Sequence, residues 1–317
     1  NRWMPANGIE QNVKFAYPAW VEGAKTGMDN MKKFMTKDAT VNLQYASKYA
    51  STANYWKNRQ GMIDALTKAK TAQTKTKEEA KFNAWANKAE NKAKYGDVVA
   101  TINNYYAQTN LKARHDNYLT QLLRTATYGT LPASLGNGLI AYAKENEAKR
   151  AEMLPRLTSA IDGAYGSLYA PLEKEVLTAQ LNLYAAKAAE YGLAPKVAEM
   201  KAANNGDFTN DVHKAVTSSI FTSKDAVLAF LKEPKVETIT NDPLYVISND
   251  LMTKIRAKSP EQTKADDDFA IAFRKLVEGL RESKLNTIQY PDANSTLRLT
   301  YGKVRSLPAD KRNDAKI

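Results

Sequence analysis

Two histidines, a run of three aspartates and a pair of asparagines four positions apart are the residues of this 317-residue sequence whose types or spacing could do chemistry. His115, in Arg114-His115-Asp116, and His213 stand in no spacing that ligates a metal or relays a proton. His115 reads as a structural residue on a helix surface beside charged neighbours. Asp266-Asp267-Asp268 offers carboxylates to a cation, but successive helical residues project about 100° apart and fan over different faces. That run reads as a solvated acidic stretch favoured by the helix dipole. Asn54 and Asn58 are different, because residues four apart share a helix face. Ser47, Ala50 and Gly61 fall on the same side, so small and amide residues collect there. Amide oxygens can accept from an ammonium group or a peptide N–H, and amide nitrogens can donate to a peptide carbonyl. Two readings stay open on spacing alone: a close helix–helix contact held by amides, which the spacing favours, and a peptide-binding face.

Other chemistry is excluded outright. There is no cysteine, which removes disulfides, thiol catalysis and thiolate-bound zinc. No nucleophile elbow, His-Glu-x-x-His helix, phosphate loop or dinucleotide fingerprint occurs. No cofactor and no metal site is therefore expected.

The elements that must position these residues are helices. Apolar residues recur at three- and four-residue steps from Val41 to Trp56, a pattern that ends near Gly61, and a second helix is expected from Met62 to Ala72. Further helices are expected at 77–95, through Val98, Ile102 and Tyr105 behind Asp97 as N-cap, with its continuation into Leu111–Arg124 left open, and at 139–153. Leu172–Tyr191 is closed by Gly192 and Pro195; helices at 242–257 and 259–283 come next, the latter opened by Ser259-Pro260. Residues 1–40 read as mixed, with Pro5, Gly8, Pro18, Gly23 and Gly27 breaking any long element. Thr296–Tyr301 alternates polar and apolar side chains, a strand pattern. The expected organisation is a mainly α, irregular multi-helix body (41–286) between a connecting segment (1–40) and a returning strand and tail (287–317), as in a domain inserted into a β-rich structure.

With 43% hydrophobic and 25% charged residues the chain can build a substantial core, and it holds no apolar run of about 20 residues that would span a membrane. The formal charge of +12 favours anionic partners. The lysines are dispersed, however, and aromatic residues fall on core stripes rather than between them. A nucleic-acid or scaffold role, and a carboxylate hydrolase, are the competing readings. Neither has a motif behind it.

Two segments carry a resemblance. Val41-Asn42-Leu43-Gln44-Tyr45-Ala46-Ser47-Lys48-Tyr49-Ala50, running on to Ala53-Asn54-Tyr55-Trp56-Lys57-Asn58, resembles the helix that opens the helical domain of bacterial dipeptidyl peptidases with a chymotrypsin-like catalytic fold. Tyr290-Pro291-Asp292-Ala293-Asn294-Ser295-Thr296-Leu297-Arg298-Leu299-Thr300-Tyr301-Gly302 is similar to the segment where that family's chain re-enters its β-barrel. Asn1-Arg2-Trp3 is similar to the residues just after the family's Gly-Phe-Pro-Gly-Arg-Thr stretch. The resemblance implies a helical cap inserted in a β-barrel serine protease, with short β segments at both ends. It implies a periplasmic or cell-surface bacterial enzyme, a homodimer, that releases dipeptides from peptides with a free N-terminus. Asn54, with Asn58 as the other register, would bind the substrate's amine. The catalytic His, Asp and Ser would lie outside this chain, which would be inactive alone and would dock on the catalytic β-barrel of the same protein. The positive charge leans toward peptides with Asp or Glu at the penultimate position. No nucleic-acid or membrane partner is implied.

Overall fold

Amphipathic helices must bury their apolar stripes on one another, and the computed structural model, which describes residues 4–285, 299 and 301–306, does this without a strand among those residues. In chain order the helices are α1 (Ala6–Gln11), α2 (Tyr17–Met35), α3 (Ala39–Lys68), α4 (Thr71–Ala86), α5 (Ala89–Tyr95), α6 (Val98–Thr125) and α7 (Leu131–Lys144). They continue as α8 (Glu147–Tyr165), α9 (Ala170–Lys187), α10 (Pro195–Asn204), α11 (Thr209–Ser218), α12 (Lys224–Phe230), α13 (Val236–Thr240), α14 (Pro243–Arg256) and α15 (Pro260–Glu282). A π-helical turn, Asn12–Ala16, joins α1 to α2.

Local chemistry sets several boundaries. Asp38 Oδ1 accepts from the backbone N–H groups of Thr40 and Val41 at 2.7 and 3.1 Å, which starts α3. Ser259 Oγ accepts from Gln262 N at 3.1 Å at the head of α15, with Pro260 in the first turn. Gly192, at φ +98°, turns the chain after α9, and Pro195 opens α10.

Three apolar clusters hold the helices together. The largest joins Met31 of α2, Val41 and Tyr45 of α3, Leu119 and Leu122 of α6, and the α9, α10, α11 and α14 stripes. A second packs Phe82 and Ala86 of α4 and Tyr95 of α5 on Val98 and Ile102 of α6 and on Leu276 of α15. A third joins α7, α8, α12, α13 and the first turn of α14. The 28-residue α6 belongs to the first cluster at its C-terminal end and to the second at its N-terminal end.

Five expectations need correction. The opening 40 residues are not broken: α1, the π turn and α2 run as helix from Ala6 to Met35. Pro18 sits in the first turn of α2, where its missing N–H costs nothing. Gly23 and Gly27 are contact points, since a Cβ there would lie 2.6 Å from Gln121 and 2.7 Å from Thr125 of α6. The short β segments expected at both ends are absent among the described residues. Leu299 and Tyr301 are exposed and in no regular element, and the rest of the expected strand lies outside the described residues. Gly61 does not end the first helix; α3 passes through it to Lys68, so the expected second helix is the C-terminal end of α3 and the start of α4. The single helices expected at 77–95 and at 139–153 are each two, parted at Asn87 and Lys88 and at Glu145 and Asn146. Finally, His115 is 1% exposed rather than on a surface.

Candidate functional site

The site is α3. Along its 30 residues only Val41 and Tyr45 are buried, both near its start, and the remainder lies on α2 with one side open. Ser47, Ala50, Asn54, Asn58 and Gly61 are all exposed. The small-and-amide face is thus turned away from the helical body, and a Cβ on Gly61 would meet nothing within 4 Å. The helix–helix contact that spacing favoured does not form among the described residues. Asn54 and Asn58 stand one turn apart with their amides free to meet a polar group from outside.

A buried polar knot fixes the head of this helix. Tyr45 donates to Glu173 Oε1 of α9 at 2.9 Å, and Lys48 reaches the same oxygen at 3.3 Å. Thr127 donates its hydroxyl to Oε1 at 2.6 Å and its backbone N–H to Oε2 at 2.5 Å. The Tyr45 hydroxyl in turn accepts from Tyr169 N at 3.0 Å. Burial, then the Glu173 charge, push the Tyr45 hydroxyl's pKa far up, so it stays a donor. The fully buried carboxylate is tolerated because these donors converge on it. Sequence reasoning missed Glu173, which interrupts the apolar stripe of α9 between Leu172 and Val176; that interruption was the available signal.

Further along, α3 is gripped by rings and guanidinium groups. Arg59 lies over the Tyr17 ring at 4.7 Å and the Trp20 ring at 5.6 Å, both on α2. Arg124 of α6 lies 5.4 Å from the Trp20 ring and 5.5 Å from the Tyr55 ring on α3. Tyr55 and Arg59 flank Asn54 and Asn58 in sequence.

The other candidates do structural work. His115 pairs through Nδ1 with Asp116 Oδ1 at 2.9 Å and through Nε2 with the Tyr184 hydroxyl at 2.8 Å, inside the main core. Burial would push the Asp116 carboxyl up, but hydrogen bonds from His115 and Lys112 outweigh it and hold it low. His213 is exposed and takes a hydrogen bond from Lys174 at 3.2 Å. Within the aspartate run, Asp266 meets Lys258, Gln262 and Tyr105, while Asp268 meets Lys264, so the carboxylates diverge. Among the described residues no group of three or more His, Asp or Glu is placed to hold a metal ion. Lys70, Lys77, Lys81 and Lys88 line one exposed side of α4 and its two ends with no exposed aromatic ring among them, a solvated face. No helix among the described residues is long and apolar enough to cross a membrane.

Comparison with known proteins gives this arrangement a context. The chain is 43% identical over 314 residues to dipeptidyl-peptidase 7 of Capnocytophaga gingivalis, covering 99% of this chain and 43% of that protein. It is 25% identical over 277 residues to the Asp/Glu-specific dipeptidyl-peptidase of Porphyromonas gingivalis, covering 87% of this chain and 38% of that one. The crystal structure of Porphyromonas endodontalis DPP11 in complex with the dipeptide Arg-Glu superposes with a TM-score of 0.75 over 89% of this chain and 40% of that chain, at 21% identity, which is a likeness of fold. The chain thus spans about two fifths of the length of the relatives it matches. The profile of the peptidase S46 family matches residues 1–316, and with it the chain belongs to that family.

Proposed function

We propose that this chain is the helical, substrate-capping part of a serine dipeptidyl peptidase that releases dipeptides from peptide N-termini. The observation that carries this reading is the exposed Asn54–Asn58 face of α3 in a chain of a peptidase family. An amide oxygen accepts from a peptide's ammonium without bringing a second charge that would have to be desolvated. Asn54 is the better match for that role and Asn58 the other register. Binding the free amine at a fixed distance from the scissile bond is what makes an exopeptidase count residues. The relatives' names support the reaction class, and the Arg-Glu complex of the P. endodontalis enzyme supports a short peptide as the ligand.

In this reading the chemistry is acyl transfer to a serine with a histidine base, carried by a catalytic β-barrel outside this chain. The open face of α3 closes over that cleft, orients the substrate and excludes water. The enzyme works in the periplasm or at the cell surface as a homodimer. The preferred side chain beside the cleaved bond is set by the catalytic part; the +12 charge leans toward acidic peptides through encounter rate. The test is Asn54→Ala in the full-length enzyme, assayed on a free-amine peptide and its N-acetylated form. Loss of the preference for the free amine supports the reading, and an unchanged preference sinks it.

A further inference from the structure

The polar knot at Tyr45 secures only the head of α3, and beyond it no side chain of this helix is fully buried. Something else must fix the rotation of the stretch that carries Asn54 and Asn58. A helix lying on a surface can roll about its axis, and each 20° of roll moves an amide group about 2 Å sideways at a side-chain radius of about 5–6 Å.

We infer that the array Tyr55–Arg124–Trp20–Arg59 is the brace that sets this rotation, which makes Arg124 and Trp20 positioning residues for recognition of the substrate's amine. This rests on the amine-binding reading of Asn54. The geometry is a chain of contacts closed through α3 itself. Tyr55 and Arg59, one turn apart, are the two points on α3. Trp20 on α2 takes the Arg59 guanidinium at 5.6 Å, and Arg124 on α6 bridges the Trp20 ring at 5.4 Å to the Tyr55 ring at 5.5 Å. Side chains of α2 and α6 therefore hold α3 at two points, and the amides at 54 and 58 stay on its exposed side. Neither arginine has a carboxylate within ion-pair distance among the described residues; apart from a 3.8 Å contact of Arg59 Nη1 with Met62 Sδ on α3 itself, ring faces are the groups these cations settle on. Arg124 is exposed and Trp20 half-buried, so the brace can be altered without opening the core.

The experiment uses the full-length enzyme with Arg124→Met, Arg124→Lys and Trp20→Leu, with Asn54→Ala alongside. Two readouts are taken: hydrogen exchange of the backbone amides at 52–62, and kcat and KM on free-amine and N-acetylated peptides. A surface cation–π contact corresponds to roughly a two- to fivefold effect, so breaking two at Trp20 gives about four- to twenty-fivefold. The expected result is faster exchange at 52–62 in Arg124→Met and Trp20→Leu, and KM for the free-amine peptide raised by that factor. We expect kcat to change less than about twofold, and Arg124→Lys to recover much of the loss. Unchanged exchange in both Arg124→Met and Trp20→Leu overturns the brace. Faster exchange with unchanged KM, in an enzyme where Asn54→Ala does raise KM, overturns the positioning role. If Asn54→Ala itself leaves the free-amine preference intact, the amine-binding reading has failed and the positioning role falls with it, while the exchange data still decide whether the brace exists.

Discussion

Tyr45 on α3 and Glu173 on α9, 128 positions apart in sequence, share a hydrogen bond of 2.9 Å in the main core, and this bond ties the candidate peptide-binding helix to the body. Because the Glu173 side chain is fully buried, its carboxylate depends on Tyr45, Lys48 and Thr127 for the solvation it has given up.

Removing either partner should therefore cost stability unequally. Tyr45→Phe is expected to destabilise the chain by about 1–2 kcal/mol, since one acceptor site on a buried carboxylate goes unfilled. Glu173→Ala is expected to cost about 2–4 kcal/mol, because it removes the acceptor for Tyr45, Thr127 and Lys48 together and leaves a cavity. Urea unfolding curves of the two variants test the order; equal effects would show that the knot is not centred on Glu173.

Two glycines in helices should respond with opposite sign when changed to alanine. Gly61 on α3 faces open space, so Gly61→Ala is expected to stabilise the isolated chain by about 0.5–1 kcal/mol through helix propensity. Gly279 on α15 sits against Phe82, where a Cβ would come within 2.7 Å of the ring, so Gly279→Ala is expected to cost about 1–3 kcal/mol despite the same propensity gain. Thermal melts of both variants check this. In the full-length enzyme, a fall in activity for Gly61→Ala would show that another surface closes on this face.

Glu79 introduces a pH dependence. Its buried carboxyl accepts from the Ala6 N–H at 2.7 Å at the head of α1, yet burial raises its pKa above 4.5 more than this bond and Lys75 lower it. The folded state then holds the proton more tightly than the unfolded chain does. Stability attributable to this group must fall as pH rises from about the unfolded value through the raised folded value. Unfolding midpoints measured from pH 4 to 7.5 should show this slope in the wild type, and Glu79→Gln should flatten it while keeping an acceptor for Ala6. A slope of the opposite sign at this residue would contradict the burial argument.

Asn54→Ala is expected to lower kcat/KM of the full-length enzyme on free-amine peptides by about 10- to 150-fold, the range for a hydrogen bond to a charged group. Asn54→Asp is expected to retain amine binding but shift its pH profile, because the added negative charge keeps the substrate's amine protonated to higher pH. Steady-state kinetics across pH 5–8 separate the two variants. Asn58→Ala, on the other register, should change kcat/KM far less; the reverse ranking would move the role to Asn58.

The sequence by itself determined the helical character of the body, most helix positions and the spacing that puts Asn54 and Asn58 on one face. These depend on local signals: three- and four-residue apolar steps, Ser259-Pro260 before α15, Gly192 and Pro195 after α9. Motif-length resemblance in 41–58 was enough to point to the peptidase family. What only the tertiary structure decided is the meaning of residues whose partners lie far away along the chain. Gly23 and Gly27 look like breakers until Gln121 and Thr125 approach them. His115 looks like a surface residue until Tyr184 covers it. The small-and-amide stripe of α3 looks like a packing seam until its packed flank proves to be the one holding Val41, Tyr45, Trp56 and Arg59. A periodic pattern states that a helix has faces; which face is covered depends on contacts between distant segments, and those are fixed only when the chain has collapsed into its core.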